Sequence, residues 1–108
     1  MSLNSGEVEI KLDGKVTILK PSLGAAIAIS DRFSGFRRAI ESVVSHDLSA
    51  IAYIVAQGTS ASDLRSVTES VWRDLLGLQA PVLDYVSMLA NGGRRIVIEE
   101  KNPPAAAA

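Results

Sequence analysis

A length of 108 residues points to one domain, in which folding buries roughly 60–70% of the extended-chain surface. Hydrophobic residues make up 47% and charged residues 21%, which is a globular composition and not a disordered one. Eleven basic side chains face twelve acidic ones, for a net charge of −1. That balance excludes the electrostatic footprint of a nucleic-acid binder and a polybasic membrane anchor.

Cysteine is absent, so no disulfide, thiolate nucleophile or cysteine metal site can form. No run of about twenty apolar residues is present to span a membrane. Residues 1–6 are polar and carry no apolar signal core, so they are expected to be a flexible lead and the location cytoplasmic.

The sequence Glu7-Val8-Glu9-Ile10-Lys11-Leu12 alternates polar and apolar residues. Asp13-Gly14 follows, and then Lys15-Val16-Thr17-Ile18-Leu19-Lys20. Two runs of period two around an Asp-Gly pair predict a β-hairpin. Val8, Ile10 and Leu12 are expected to line one face of the first strand, and Val16 and Ile18 that of the second. Leu19 is the exception on an otherwise charged side. A lone hairpin is marginal in water, so its apolar face needs helices or a partner.

Ser22 can cap a helix over residues 23–33, with Leu23, Ala26, Ile27, Ser30 and Phe33 as its stripe. After Ser34-Gly35, a short second helix carries Phe36, Ala39, Ile40, Val43 and Val44, with Arg37, Arg38 and Glu41 toward water. Asp47 or Ser49 caps a third helix, which is expected to stop near Gly58. Leu64, Val67, Thr68, Val71, Leu75 and Leu78 predict the longest helix, roughly residues 61–77, widened by Trp72 and Leu76 and stopped by Gly77. Glu69 and Arg73 are spaced for an i,i+4 pair. Pro81 suits the first turn of a further helix that ends at Asn91-Gly92-Gly93. Arg94, Arg95, Ile96, Val97 and Ile98 suggest a short terminal strand or arm, and Pro103, Pro104 and four alanines a disordered tail.

The fold class is therefore α+β: an N-terminal hairpin followed by four or five short helices, with a single domain over residues 7–93 and an arm over residues 94–108.

Chemistry has little to stand on. His46 is the only histidine and sits in a predicted joint. A structural zinc site needs four ligands, and a general base needs groups that position it. Asp31, Asp47, Asp63, Asp74 and Asp84 are dispersed, and Asp47 and Asp63 fit helix caps. No nucleophile elbow or phosphate loop is present. The expectation is a protein that is not an enzyme and has no catalytic residues, metal, cofactor or small-molecule substrate. Binding is the alternative, because an open strand edge can augment another sheet and an apolar groove can take a helix or peptide. Trp72 flanks the main stripe, where it serves either the core or an interface. Tyr85 lies near its helix edge, with a hydroxyl available for a hydrogen bond.

The order of these features carries a resemblance over residues 6–93. The Asp13-Gly14 hairpin is followed by Pro21-Ser22-Leu23-Gly24-Ala25-Ala26-Ile27-Ala28-Ile29, then Phe33, the helix around residues 67–76, and the close at Leu89-Ala90-Asn91-Gly92-Gly93. This resembles the small tail protein family encoded among the tail genes of gene transfer agents and related tailed phages, described both as a tail tube protein and as a tail assembly chaperone. The family often has a glutamate in the first helix, where this chain has Ser30-Asp31, and a glycine after it, where this chain has Ser34-Gly35.

A tube subunit builds a continuous inner β-barrel, which needs more strand than one hairpin, so the helical pattern suits the chaperone description better. The resemblance then implies binding of the tape measure protein, with tail tube proteins and a second copy of the chain as further partners, in a phage, prophage or gene transfer agent setting. Expected contact residues are Leu64, Val67, Val71, Leu75 and the adjacent Trp72, with Ile27, Phe33 and Phe36. The alternatives are a structural tail tube or tail-associated subunit retained in the particle, and a small host adaptor or regulatory domain.

Overall fold

The computed structural model describes residues 6–94. Two antiparallel strands, β1 (Val8–Leu12) and β2 (Lys15–Leu19), precede five helices. These are α1 (Leu23–Phe33), α2 (Phe36–Val44), α3 (Leu48–Thr59), α4 (Leu64–Arg73) and α5 (Leu75–Ala90). The α+β class and the hairpin-then-helices order agree with the sequence. Of the expected terminal strand only Arg94 is described; Arg95, Ile96, Val97, Ile98 and the tail lie outside the described residues.

Asp13 and Gly14 both take positive φ, 53° and 79°, the conformation of a two-residue type I′ hairpin turn. That turn sets Leu12 opposite Lys15, Ile10 opposite Thr17 and Val8 opposite Leu19. The register corrects the expected second-strand face. Val16 and Ile18 pair with Lys11 and Glu9 on the outer face, while the supposed exception, Leu19, is fully buried with Val8 and Ile10. A two-residue loop joins an even position in one strand to an odd position in the other, so the apolar parity switches across the turn.

The inner face of the hairpin rests on α5 beneath β1 and on α3 beneath β2. Helix α3 is central and also touches α1, α2 and α4. It is apolar nearly all round, as a helix enclosed on every side must be, and its Ala50, Ala52, Ala56 and Gly58 let neighbours approach closely. Helix α3 stops near Gly58, as expected. The helix runs to Thr59 and closes at Ser60 in the left-handed region. A Cβ at Gly58 would lie 2.9 Å from Leu19 Cδ2 and 3.2 Å from Tyr85 Cζ. The glycine is there because strand and helix meet over it, and the Lys20 N–H donates to its carbonyl at 2.9 Å.

The expected caps form. Ser22 Oγ accepts from Ala25 N–H, Asp47 from Ala50 N–H, and Asp63 from Arg65 and Ser66 N–H. In α1 the buried residues are Ala25 and Ile29, and Leu23 and Ile27 face outward. Phe33 lies edge-on to Tyr53, with centroids 6.2 Å apart, and Arg32 stacks over the Tyr53 ring at 5.2 Å. Tyr85 is fully buried, and its hydroxyl donates to the Lys20 carbonyl at 2.7 Å. Burial pushes that hydroxyl up to about 12.

The expected helix over residues 61–77 is two helices broken at Asp74. The break coincides with a tertiary contact. The hairpin turn reaches across to this point, where Asp13 N–H donates to Asp74 Oδ2, while Ser70 Oγ and Arg73 donate to the Asp13 carboxylate. Arg73 pairs with Asp13 at 3.1 Å, and no pair with Glu69 forms among the described residues. Gly77 and Pro81, read as a stop and a first turn, both lie inside α5, which is the longest helix. Pro81 has no N–H to give the Gly77 carbonyl four residues back, so the ladder is interrupted there.

Candidate functional site

Helix α4 and the first turn of α5 together present two apolar faces. Val67, Val71 and Leu75, at four-residue intervals, turn inward; Val71 is fully buried, and Val67 and Leu75 pack half-buried against the core. Leu64, Trp72 and Leu76 fall on the other spacing, with Thr68 between them. These three are 47%, 67% and 79% exposed. Thr68 stays on its own helix by donating to the Leu64 carbonyl. The Asp63 cap and the Asp13–Arg73 contact lie at the two ends of α4.

At the lower end of the stripe an open groove of about 800 Å³ separates β1 from the α4–α5 junction. Glu9, Ile10 and Lys11 form one wall, and Trp72, Leu76 and Pro81 are among the residues opposite. The hydrogen bonds from Ser70 and Arg73 hold the Asp13 carboxyl below its ordinary range, so it stays ionised at the junction. Asp63 is lowered likewise, first by the Ser66 hydroxyl.

The eight residues expected from sequence divide clearly. Leu64 and Trp72 border one surface, and Ile27, 52% exposed, lies on α1 elsewhere. Phe33 and Phe36 pack half-buried on the core with Val67 and Leu75, while Val71 has no accessible surface. Leu76 is expected from sequence only to widen the core stripe, and its nearness to Trp72 in the chain is the one signal for the groove that both line. Ile10 and Pro81 had no such signal, because the groove exists only where β1 meets α5.

The surface can bind by burial. A tryptophan buries roughly 150–250 Å², so covering the open two-thirds of Trp72 at about 25 cal/mol/Å² offers roughly 2.5–4 kcal/mol before ordering costs. Among the described residues no group of three or more His, Asp or Glu side chains converges on a metal-sized site. His46 sits in the α2–α3 joint with φ of 60°. No helix among the described residues is long and apolar enough to cross a membrane. Comparisons with protein-family models, curated proteins and solved structures returned no match.

Proposed function

We propose that the chain is a non-enzymatic tail assembly chaperone that binds the tape measure protein while a phage-like or gene-transfer-agent tail is built. The observation that carries the reading is the outward exposure of Leu64 and Trp72 on α4 and of Leu76 at the start of α5. Several large apolar side chains aligned on one surface suit a partner that covers them, because burial supplies affinity without chemistry. The resemblance of residues 6–93 to the tail protein family supplies the identity of that partner. One short hairpin beside five helices suits a holder of an extended client better than a tube wall. The contact set is accordingly Leu64 and Trp72 with Leu76, and Ile27 marks a second, smaller patch.

Co-expression with the tape measure protein of the same gene cluster tests this. A complex is expected, and Trp72→Ala with Leu76→Ala should weaken it at least tenfold while the helical signal is kept. Failure of the folded parent chain to bind overturns the proposal. The open edge of the hairpin favours a second reading, a tail subunit retained in the particle. Mass spectrometry of finished particles separates the two: stoichiometric retention supports the subunit, and absence supports the chaperone.

A further inference from the structure

The geometry of the hairpin points to a second copy of this chain as the occupant of the β1 edge: we propose that β1 pairs antiparallel with β1 of another copy across a two-fold axis at Ile10. The inference does not depend on the tape measure reading. It starts from the hydrogen-bond phase. In a two-residue hairpin the pair flanking the turn is hydrogen-bonded and the pairs then alternate. Leu12–Lys15, Ile10–Thr17 and Val8–Leu19 therefore spend their backbone groups inside the hairpin. The N–H and C=O groups of Glu9 and Lys11 point away from β2, into the groove. They have no backbone partner among the described residues.

An added strand must therefore present its own outward residues to Glu9 and Lys11. With a second β1 running antiparallel, three two-fold registers satisfy that condition. Centring on Glu9 sets glutamate against glutamate, and centring on Lys11 sets lysine against lysine. Centring on Ile10 sets Glu9 opposite Lys11 of the second copy, and Lys11 opposite its Glu9. The Glu9-centred register also sets Glu7 opposite Lys11, but it keeps Glu9 against Glu9; only the Ile10-centred register pairs all five residues of β1 with one another and opposes no like charges among them, and directly opposed like charges are destabilising. On the inner face the same register sets Val8 opposite Leu12 and Ile10 opposite Ile10, all apolar. Glu9 and Lys11 are both exposed and neither has an ion-pair partner among the described residues, so both are available. Each edge is capped at one end, that of β1 by Asp74 at the Asp13 N–H and that of β2 by α3 at the Lys20 N–H, which leaves Glu9 and Lys11 as the open stretch of the β1 edge.

The pairing is isologous, so it closes at a dimer and does not propagate. The sheet order becomes β2–β1–β1–β2, and the grooves of the two copies meet beneath it at Ile10.

Charge reversal tests the register by sedimentation velocity on the full chain, with circular dichroism as the control for folding. The parent is expected to be a dimer at micromolar concentration. Glu9→Lys alone and Lys11→Glu alone each convert both cross-strand pairs to like charges, and should raise Kd roughly ten- to hundredfold. The Glu9→Lys/Lys11→Glu double variant should restore the dimer, and a mixture of the two single variants should form heterodimers. A parent that is monomeric at high-micromolar concentration overturns the proposal. So do growth past a dimer, and a dimer indifferent to all of these changes.

Discussion

Replacing Gly58 with alanine adds a single methyl group at the point where α3, β2 and Tyr85 meet. The added Cβ would lie 2.9 Å from Leu19 Cδ2, 3.1 Å from Leu19 Cβ and 3.2 Å from Tyr85 Cζ. None of these atoms has an easy retreat. Leu19 and Tyr85 are fully buried, and the Tyr85 ring is held by its hydroxyl on the Lys20 carbonyl. Overpacking of this kind costs about 1–3 kcal/mol. Alanine in a helix interior returns about 0.5–1 kcal/mol relative to glycine. The two ranges net to a loss of about 0–2.5 kcal/mol, centred near 1 kcal/mol, which is roughly 4–8 °C in Tm for a domain of this size. Gly24→Ala is the matched control: its Cβ meets nothing within 4 Å, so it should be neutral or stabilise by up to about 1 kcal/mol. Urea and thermal unfolding followed by circular dichroism measure both. Coupling to Leu19→Val, which shortens the side chain nearest the new methyl group, should make the double variant cost less than the sum of the singles. If Gly58→Ala is as stable as Gly24→Ala, the close approach of β2 to α3 is wrong.

Tyr85→Phe removes the buried hydroxyl that meets the Lys20 carbonyl and should cost about 1–1.5 kcal/mol in urea unfolding; in the parent, ultraviolet titration should show this tyrosine ionising near 12. On α4, Val71→Ala deletes core volume and should cost about 2–3 kcal/mol, whereas Trp72→Ala, one residue on, should stay within about 0.5 kcal/mol of the parent. Equal losses would refute the division of that helix into two faces. The carboxyls of Asp13 and Asp63 are lowered in the folded state, so their contribution to stability is present above the ordinary carboxylate value of 3.8 and is lost as pH falls through the folded values. Asp13→Asn should flatten that acid-side slope in a series of melts, and an unchanged slope would remove Asp13 as a contributor.

Local chemistry is where the sequence was legible. The Asp13-Gly14 turn, the caps at Ser22, Asp47 and Asp63, and the polar face of α2 all depend on groups within four residues of one another. Such signals do not need the rest of the molecule to act. The α+β order followed from them, and so did the outward position of Arg37, Arg38 and Glu41.

Glycine and proline were less informative, because each has more than one use. Gly58 and Gly77 look like stops, yet one clears space for Leu19 and the other sits in the first turns of α5. The α4–α5 break has no strong local breaker at Asp74; it coincides with hydrogen bonds from a turn some sixty residues earlier in the chain. The candidate surface was legible in part for the same reason. A stripe wide enough to hold both Val71 and Trp72 does not say which half faces the core. That choice was made by where α3 and α5 pack.

The sequence alone therefore determined the kinds of element and their order, since these rest on composition and neighbouring residues. The tertiary structure decided the buried face of β2, the division of α4 and the groove beside β1. Each of those depends on contacts between residues distant in the chain, and burial is a property of the assembled core and not of any one segment.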